Sequence, residues 1–450
     1  MNLSAELKQR AETGNPLRVA LIGAGKFGSM YLAQARFTEG IQLVGVADLH
    51  FEHARNALLR VGWPAEQIQP AQTSQEINDL ASSGRVALTE SSEELIRAEV
   101  DVVVESTGSP GAATKHALCA IDSGRHVVLV TVEADVLVGP ILSKRAKQAG
   151  VVYSMAYGDQ PALICELVDW ARTCGFEVAA AGKGTKHLDR YPYSTPDTVF
   201  QNYGFTPEQV RSGGFNAKMY NSFLDGTKSA IEMAAVANGT GLKPQTGGLR
   251  FPPVSVDRLA DVLKPESDGG ILTHSGTVEV VASTNRDGSS LGQDLRWGVY
   301  VTFKAPNDYV KACFGQYGLL RDQTGQYASL YRPHHLIGLE LGISVASAGL
   351  RQEPTGSPKT FLADVAACAK RDLKAGEVLD GEGGYTVFGK LVPAPESLSA
   401  EFLPIGLASE ATVVHPVSKD QFLTYADVKL PADSAVAQLR RDLENEFRHG

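Results

Sequence analysis

Apolar runs in the first 160 residues are short, and polar stretches with helical periodicity separate them. Val19 to Gly23 reads as a buried strand, Ser29 to Arg36 as a helix, and Gln42 to Ala47 as a second apolar strand. That order is a strand-helix-strand unit. The rhythm recurs with a strand from Val100 to Glu105, a helix from Ala112 to Asp122, and strands from His126 to Val130 and Val151 to Met155. Pro161 then opens a helix running to about Cys174, with Asp159 as its N-cap.

Beyond this point the pattern changes. A strand from Glu177 to Ala181 is followed by a helix from about Ser222 to Asn238, on which Asp225, Lys228 and Glu232 fall at i, i+3 and i+7 and share one face. The alternating, β-branched stretches VEVVAS and WGVYVTFKA, between Val278 and Lys304, predict an antiparallel sheet. KPQTGGLRFPPVSVDRL reads as an ordered crossing loop. Pro333, His334 and His335 stand at the mouth of an apolar helix, where two adjacent histidines cannot face one metal and serve instead as a capping or cofactor-facing turn. Three domains are predicted, over 1–160, 161–345 and 346–450, and no internal repeat or low-complexity tract interrupts them.

Composition narrows the partners. The chain has 450 residues, 43% hydrophobic and 21% charged, which suits a large buried core. The net charge of -9, from 42 Lys and Arg against 51 Asp and Glu, argues against nucleic acid or an anionic membrane as the main partner. No apolar run approaches the roughly 18 residues that mark a membrane span. The N-terminal MNLSAELKQRAETGNP reads as a short amphipathic helix rather than a signal peptide. Five scattered cysteines, with no CxxC pair, point to a reducing, cytoplasmic setting. Glycine is unusually frequent, 45 of 450 residues, so the fold needs tight turns or close backbone approach.

Several of those glycines have an address. GAGKFG places Gly23, Gly25 and Gly28, with Lys26 and Phe27 between them, at the junction of the first strand and helix. This G-x-G-x-x-G spacing supplies a turn, a backbone approach to pyrophosphate, and helix-strand packing, with helix N–H groups aimed at the phosphates. Asp48, at the end of the second strand, is placed to accept hydrogen bonds from an adenosine ribose, and its charge favours NAD over NADP. Ser106, Thr107, Gly108, Thr131, Val132 and Glu133 follow strand ends and should face the nicotinamide half. The first domain is therefore a Rossmann, doubly wound α/β domain for NADP or NAD. Further on, Lys183, Lys186, His187 and Arg190 put four potential cations at a strand exit beside Gly182 and Gly184, either an anion site or a solvated basic loop. Asp225 and Glu232 are suitable oxygen ligands for a divalent metal, although no spacing motif demands one.

GAGKFG, ADL, VVVESTG, GRHVVLVTVEAD and the Asn221, Asp225, Lys228 set resemble the homoserine-dehydrogenase-like oxidoreductases. The resemblance is closest to the branch with a C-terminal SAF-type module, the deoxyxylulose-5-phosphate reductoisomerase-like (DRL) proteins. Residues 369–394, with Asp372, Ala375 and Gly376 in the turn, resemble that module. The resemblance implies a Rossmann domain, a central α+β catalytic and oligomerisation domain and a small β-rich SAF-like module in a homo-oligomer. It implies NADPH-dependent conversion of 1-deoxy-D-xylulose 5-phosphate to 2-C-methyl-D-erythritol 4-phosphate. Asp225 and Lys228 would handle a hydroxyl proton, with Lys183 in the catalytic set, and Lys186, His187 and Arg190 would hold the phosphate. Homoserine or a polyol or sugar acid is the alternative substrate class. A dinucleotide-responsive binding protein without chemistry is the alternative outside enzymes.

Overall fold

A computed structural model describes residues 2–213, 215–432 and 434–449. The chain forms two compact units, Met1–Leu163 with Leu336–Lys359, and Ile164–His335 with Thr360–Gly450. Residues 336–359, which the sequence reading splits between its second and third domains, thus pack in the first unit.

The first unit is built on seven strands: β1 (Leu17–Ile22), β2 (Ile41–Ala47), β3 (Ile68–Pro70), β4 (Val86–Thr89), β5 (Val102–Glu105), β6 (His126–Leu129) and β7 (Tyr153–Met155). They lie in the order β3-β4-β2-β1-β5-β6-β7, and every neighbouring pair is parallel. The order reverses between β1 and β5, so the crevice at their carboxyl ends is the place where such a sheet takes a ligand. Val19, Leu21, Val46, Leu88, Val102, Val104 and Val128 are buried because helices cover both faces. Leu341, Val345 and Ala346, from the returning segment, complete this core. β3 and β4 are not among the strands read from the sequence.

In the second unit, β8 (Glu177–Thr185), β9 (Thr277–Ala282), β10 (Val299–Lys304), β11 (Leu320–Arg321) and β12 (Tyr327–Arg332) form a sheet in the order β11-β12-β10-β8-β9. β10 runs antiparallel to both β8 and β12, but β8 and β9 are parallel, so the expected antiparallel sheet is mixed. The long helical connection between β8 and β9 is what a parallel pair requires. β13 (Ala363–Ala369) and β14 (Val387–Pro393) form an antiparallel pair. On the C-terminal helix Ala435–His449, Arg440 is fully buried between Asp364, at 2.6 Å, and Glu444, at 2.8 Å. Among the described residues no helix is long and apolar enough to cross a membrane.

Three expectations need correction. The single helix over Ser222 to Asn238 is two helices, Ala217–Leu224 and Thr227–Thr240. They break at Gly226, whose φ of 90° lies in the left-handed region that glycine tolerates, so Asp225 and Lys228 do not share one helical face. β8 continues to Thr185, which places Lys183 inside the sheet rather than at a strand exit; a Cβ on Gly182 would lie 1.8 Å from the Glu279 carbonyl oxygen. His334 and His335 lie in a turn after β12, well before the helical segment Gly342–Ala346, and His335 Nδ1 is 2.7 Å from the Trp297 carbonyl oxygen.

Candidate functional site

β1 ends one residue before Gly23, and the chain turns there into the helix Lys26–Ala35, with Gly25 as N-cap. A Cβ on Gly28 would meet the Gly23 carbonyl oxygen at 2.2 Å, so the helix can pack against the turn only with glycine there. Gly25 is different. No heavy atom lies within 4 Å of its Cβ direction, which leaves the backbone open beside a helix N-terminus whose first N–H groups have no intrahelical acceptor. Lys26 and Phe27 occupy that first turn. Asp48 follows β2 and accepts hydrogen bonds from the Ala24 N–H, at 2.9 Å, and the His50 N–H, at 3.0 Å, tying the glycine loop to the strand end. Arg60, one of the basic residues near Asp48 in sequence, donates to Ser29 Oγ at 2.9 Å. An open backbone, a helix N-terminus and a carboxylate after β2 together fit a dinucleotide.

The next two strand ends converge on a residue that the sequence reading passed over. Glu105 terminates β5 with no solvent exposure. Its carboxylate accepts from the Thr107 N–H at 3.1 Å, from the Thr107 hydroxyl, and from the Thr131 hydroxyl at 2.6 Å. The Gly108 N–H donates to Thr131 Oγ1 at 3.0 Å, and the Ser106 hydroxyl to the Gly23 carbonyl at 2.7 Å. Thr107, Gly108 and Thr131 are thus one network around a buried carboxylate, while Ser106 ties the end of β5 to the glycine turn. The available signal was a lone acid closing the run VVVE, since a buried carboxylate needs donors. Glu133 lies in the first turn of the helix Val132–Gln148.

In the second unit the proposed catalytic set does not assemble as expected. Lys183 is buried in an ion pair with Glu232. Asp225 pairs with Lys370 at 2.7 Å, and the same ammonium donates to the Ser194 and Gly384 carbonyls at 2.8 Å each. Burial raises the Asp225 carboxyl, while Lys370 and Thr227 draw it back. Asn221 donates to the Ser194 and Gly383 carbonyls at 2.9 Å, and its Oδ1 is buried without a partner. Lys370 was not singled out, because nothing local marks it 145 residues from Asp225. Asp225 and Glu232, the suggested metal ligands, each face an ammonium instead. Among the described residues no group of three or more His, Cys, Asp or Glu side chains is placed to hold a metal.

The basic stretch after β8 also divides. Lys186 is partly buried, donates to the Asn202 carbonyl at 2.6 Å, and sits 5.6 Å from the Tyr203 ring centroid. Arg190 lies over Tyr191 at 5.3 Å and lines a cavity of about 460 Å³ with Tyr193, Ser194, Thr198, Gln201 and Asn202. His187 is buried; burial and the nearby Arg286 push its imidazole down to about 4, so it is neutral near pH 7 rather than a fourth cation.

The parallel sheet with its glycine loop at the end of β1 defines a Rossmann-type domain of the kind that binds dinucleotides. Residues 23–154 match the family described as "Homoserine dehydrogenase, NAD binding domain", and residues 158–341 match "Oxidoreductase DRL, catalytic domain". Over these two stretches the chain is similar to the NAD-binding domain of homoserine dehydrogenases and to the catalytic domain of DRL oxidoreductases. Neither match extends past residue 341. No curated protein matches the chain. Among solved structures, it is similar to the WlbA dehydrogenase from Bordetella pertussis in complex with NADH and UDP-GlcNAcA (18% identity, 40% of this chain and 50% of that one, TM-score 0.28). It is similar to an NAD binding oxidoreductase from Klebsiella pneumoniae (19% identity, 40% and 45%, TM-score 0.29). A dipicolinate-bound dihydrodipicolinate reductase from Paenisporosarcina sp. TG-14 is also similar (14% identity, 75% and 97%, TM-score 0.33). The chain spans half or less of the length of the first two.

Proposed function

We propose that the protein is an NAD(P)-dependent oxidoreductase that converts 1-deoxy-D-xylulose 5-phosphate to 2-C-methyl-D-erythritol 4-phosphate, an isoprenoid-precursor step. The observation that carries this reading is the open Gly25 backbone at a helix N-terminus, in a chain whose following residues match the DRL catalytic domain. Gly23 to Gly28 hold the pyrophosphate, Asp48 the adenosine ribose, and the Ser106, Thr107, Gly108, Thr131 and Glu133 strand ends the nicotinamide half. The bound cofactor supplies the hydride that reduces the carbonyl of the rearranged substrate. Lys228 handles the proton of the substrate hydroxyl. Asp225 and Lys183, the other members of the catalytic set, act from their ion pairs with Lys370 and Glu232. The working form is a cytoplasmic homo-oligomer, which light scattering on the purified protein checks.

The test is NADPH and NADH oxidation, followed at 340 nm, with deoxyxylulose phosphate, a panel of phosphorylated ketoses, and aspartate semialdehyde as the carbonyl partner of homoserine. Oxidation that depends on deoxyxylulose phosphate supports the reading. Turnover of aspartate semialdehyde alone replaces it with homoserine dehydrogenase, and cofactor binding with no turnover of any substrate replaces it with a dinucleotide-responsive binding protein.

A further inference from the structure

Tyr193 is gripped by three side chains that lie beyond the stretch matching the DRL catalytic domain. The Asp420 carboxylate accepts its hydroxyl at 2.6 Å, the Lys419 ammonium stands 3.8 Å from its ring centroid, and Phe388, on β14, packs edge-to-face with centroids 6.3 Å apart. The hydrogen bond to Asp420 raises the Tyr193 phenol to about 12, so the hydroxyl stays a donor throughout the neutral range. Further tethers hold the residues that follow. Tyr385 donates its hydroxyl to Asp197 at 2.9 Å, and the Lys370 ammonium and the Asn221 amide both donate to the Ser194 carbonyl.

These residues need holding. Tyr191–Tyr193 is a 3₁₀ turn of three residues without a side-chain cap, and Val199–Tyr203 is a helix of five, both too short to be stable alone. Yet Tyr193, Ser194 and Asn202 line the cavity of about 460 Å³. A wall built from such pieces takes the shape that its tertiary contacts impose. The clamp itself is anchored. Asp372 accepts the Lys419 N–H at 2.9 Å, and the Asp420 N–H donates to the Ala369 carbonyl at 2.9 Å. Asp420 has a φ of 69°, a left-handed conformation that persists in a non-glycine residue where the surroundings fix it. We infer that Lys419, Asp420 and Tyr385 are positioning residues, through which the segment 370–420 sets the shape of this cavity and with it the affinity for substrate. They are not among the residues that line it, and they act through Tyr193 and Asp197. The part of the chain that neither family match reaches thereby gains a role in substrate recognition. The inference deepens the proposed function and rests on its placing of the substrate in the second unit.

The experiment uses the full chain and the variant Asp420→Gly, which removes the carboxylate at a φ that glycine adopts freely, so the backbone turn is preserved. Hydrogen–deuterium exchange reads the clamp directly. Amides of residues 190–203 should exchange about tenfold faster than in wild type, while those of β8 and of the helix Thr227–Thr240 keep their rates. Steady-state kinetics reads the consequence: KM for deoxyxylulose phosphate should rise about tenfold, with kcat changed by a factor of about two at most and NADPH affinity as in wild type. Asp420→Asn, which keeps an oxygen to accept the Tyr193 hydroxyl, should restore most of both. Lys419→Met and Tyr385→Phe should shift both readouts the same way by smaller amounts. Unchanged exchange over 190–203, or faster exchange with an unchanged KM, would overturn the inference. Faster exchange spread over the whole unit would assign Asp420 to general stability and overturn it as well. A protein that reduces a different carbonyl compound of the panel loses the proposed reaction but not this inference, for which KM of that compound then serves; with no turnover at all, the localised change in exchange decides it.

Discussion

The ring of Phe251 lies flat on the imidazole of His187, with centroids 4.0 Å apart and planes 12° apart. Phe251 adopts a φ of 48°, a left-handed conformation that costs a non-glycine residue about 1 kcal/mol or more. Glu279 holds it there by accepting the Arg250 N–H at 3.1 Å and the Phe251 N–H at 3.4 Å. Burial raises the Glu279 carboxyl to about 7 even though the Val280, Arg250 and Phe251 N–H groups pull it down.

This stacking makes a pH prediction. The His187 value falls from 6.5 in the unfolded chain to about 4 in the folded one, so the unfolded chain binds more protons between those limits. The contribution is fully present above pH 6.5 and is lost as pH falls toward 4, roughly 3 kcal/mol at most. Urea midpoints of wild type and His187→Gln should therefore converge between pH 7 and 4.5. NMR should also show the imidazole of Phe251→Ala titrating closer to 6.5; a value still near 4 would show that Phe251 does not shield it.

Breaking the Lys370 pair should be costly. Lys370→Met leaves the buried Asp225 without its ammonium, and such a loss typically costs about 3–5 kcal/mol. Adding Asp225→Asn should return much of that stability. A double variant no more stable than the single one in urea unfolding would mean that Lys370 acts through the Ser194 and Gly384 carbonyls instead.

The first domain was more legible than the second for a physical reason. GAGKFG and Asp48 act within one strand-helix-strand unit, so their spacing carries their geometry. Thr107 and Thr131 were recognisable as strand-end residues, but the Glu105 carboxylate that joins them appears only once β5 and β6 lie side by side. In the second unit the decisive partners are far apart in sequence: Lys370 with Asp225 and Glu232 with Lys183. A helical pattern drawn across Gly226 misplaced Asp225, because periodicity does not report a single left-handed residue.

Lys228 carries the proposed proton transfer, so Lys228→Ala should lower kcat by about 10²-fold or more while NADPH affinity stays within a factor of two or so. Unaltered turnover would remove Lys228 from the reaction.

Asp48 carries the prediction on cofactor choice. Asp48→Asn keeps an acceptor for the Ala24 N–H but removes the charge that opposes a 2′-phosphate. The ratio of NADP to NAD efficiency should rise by about tenfold, a change of about 1.4 kcal/mol. An unchanged ratio would show that Asp48 serves only to anchor the glycine loop.

The claim that the first unit holds a nicotinamide dinucleotide on the glycine loop is tested most directly by a fluorescence titration of NADH and NADPH into wild type and Gly25→Ala. A methyl group at Gly25 meets no protein atom, so the variant should fold with a melting temperature close to wild type. Its affinity for the dinucleotide should fall at least about tenfold, because the same methyl stands where the pyrophosphate approaches the backbone. Equal affinity in the two proteins, or no binding to the wild type, would contradict the account.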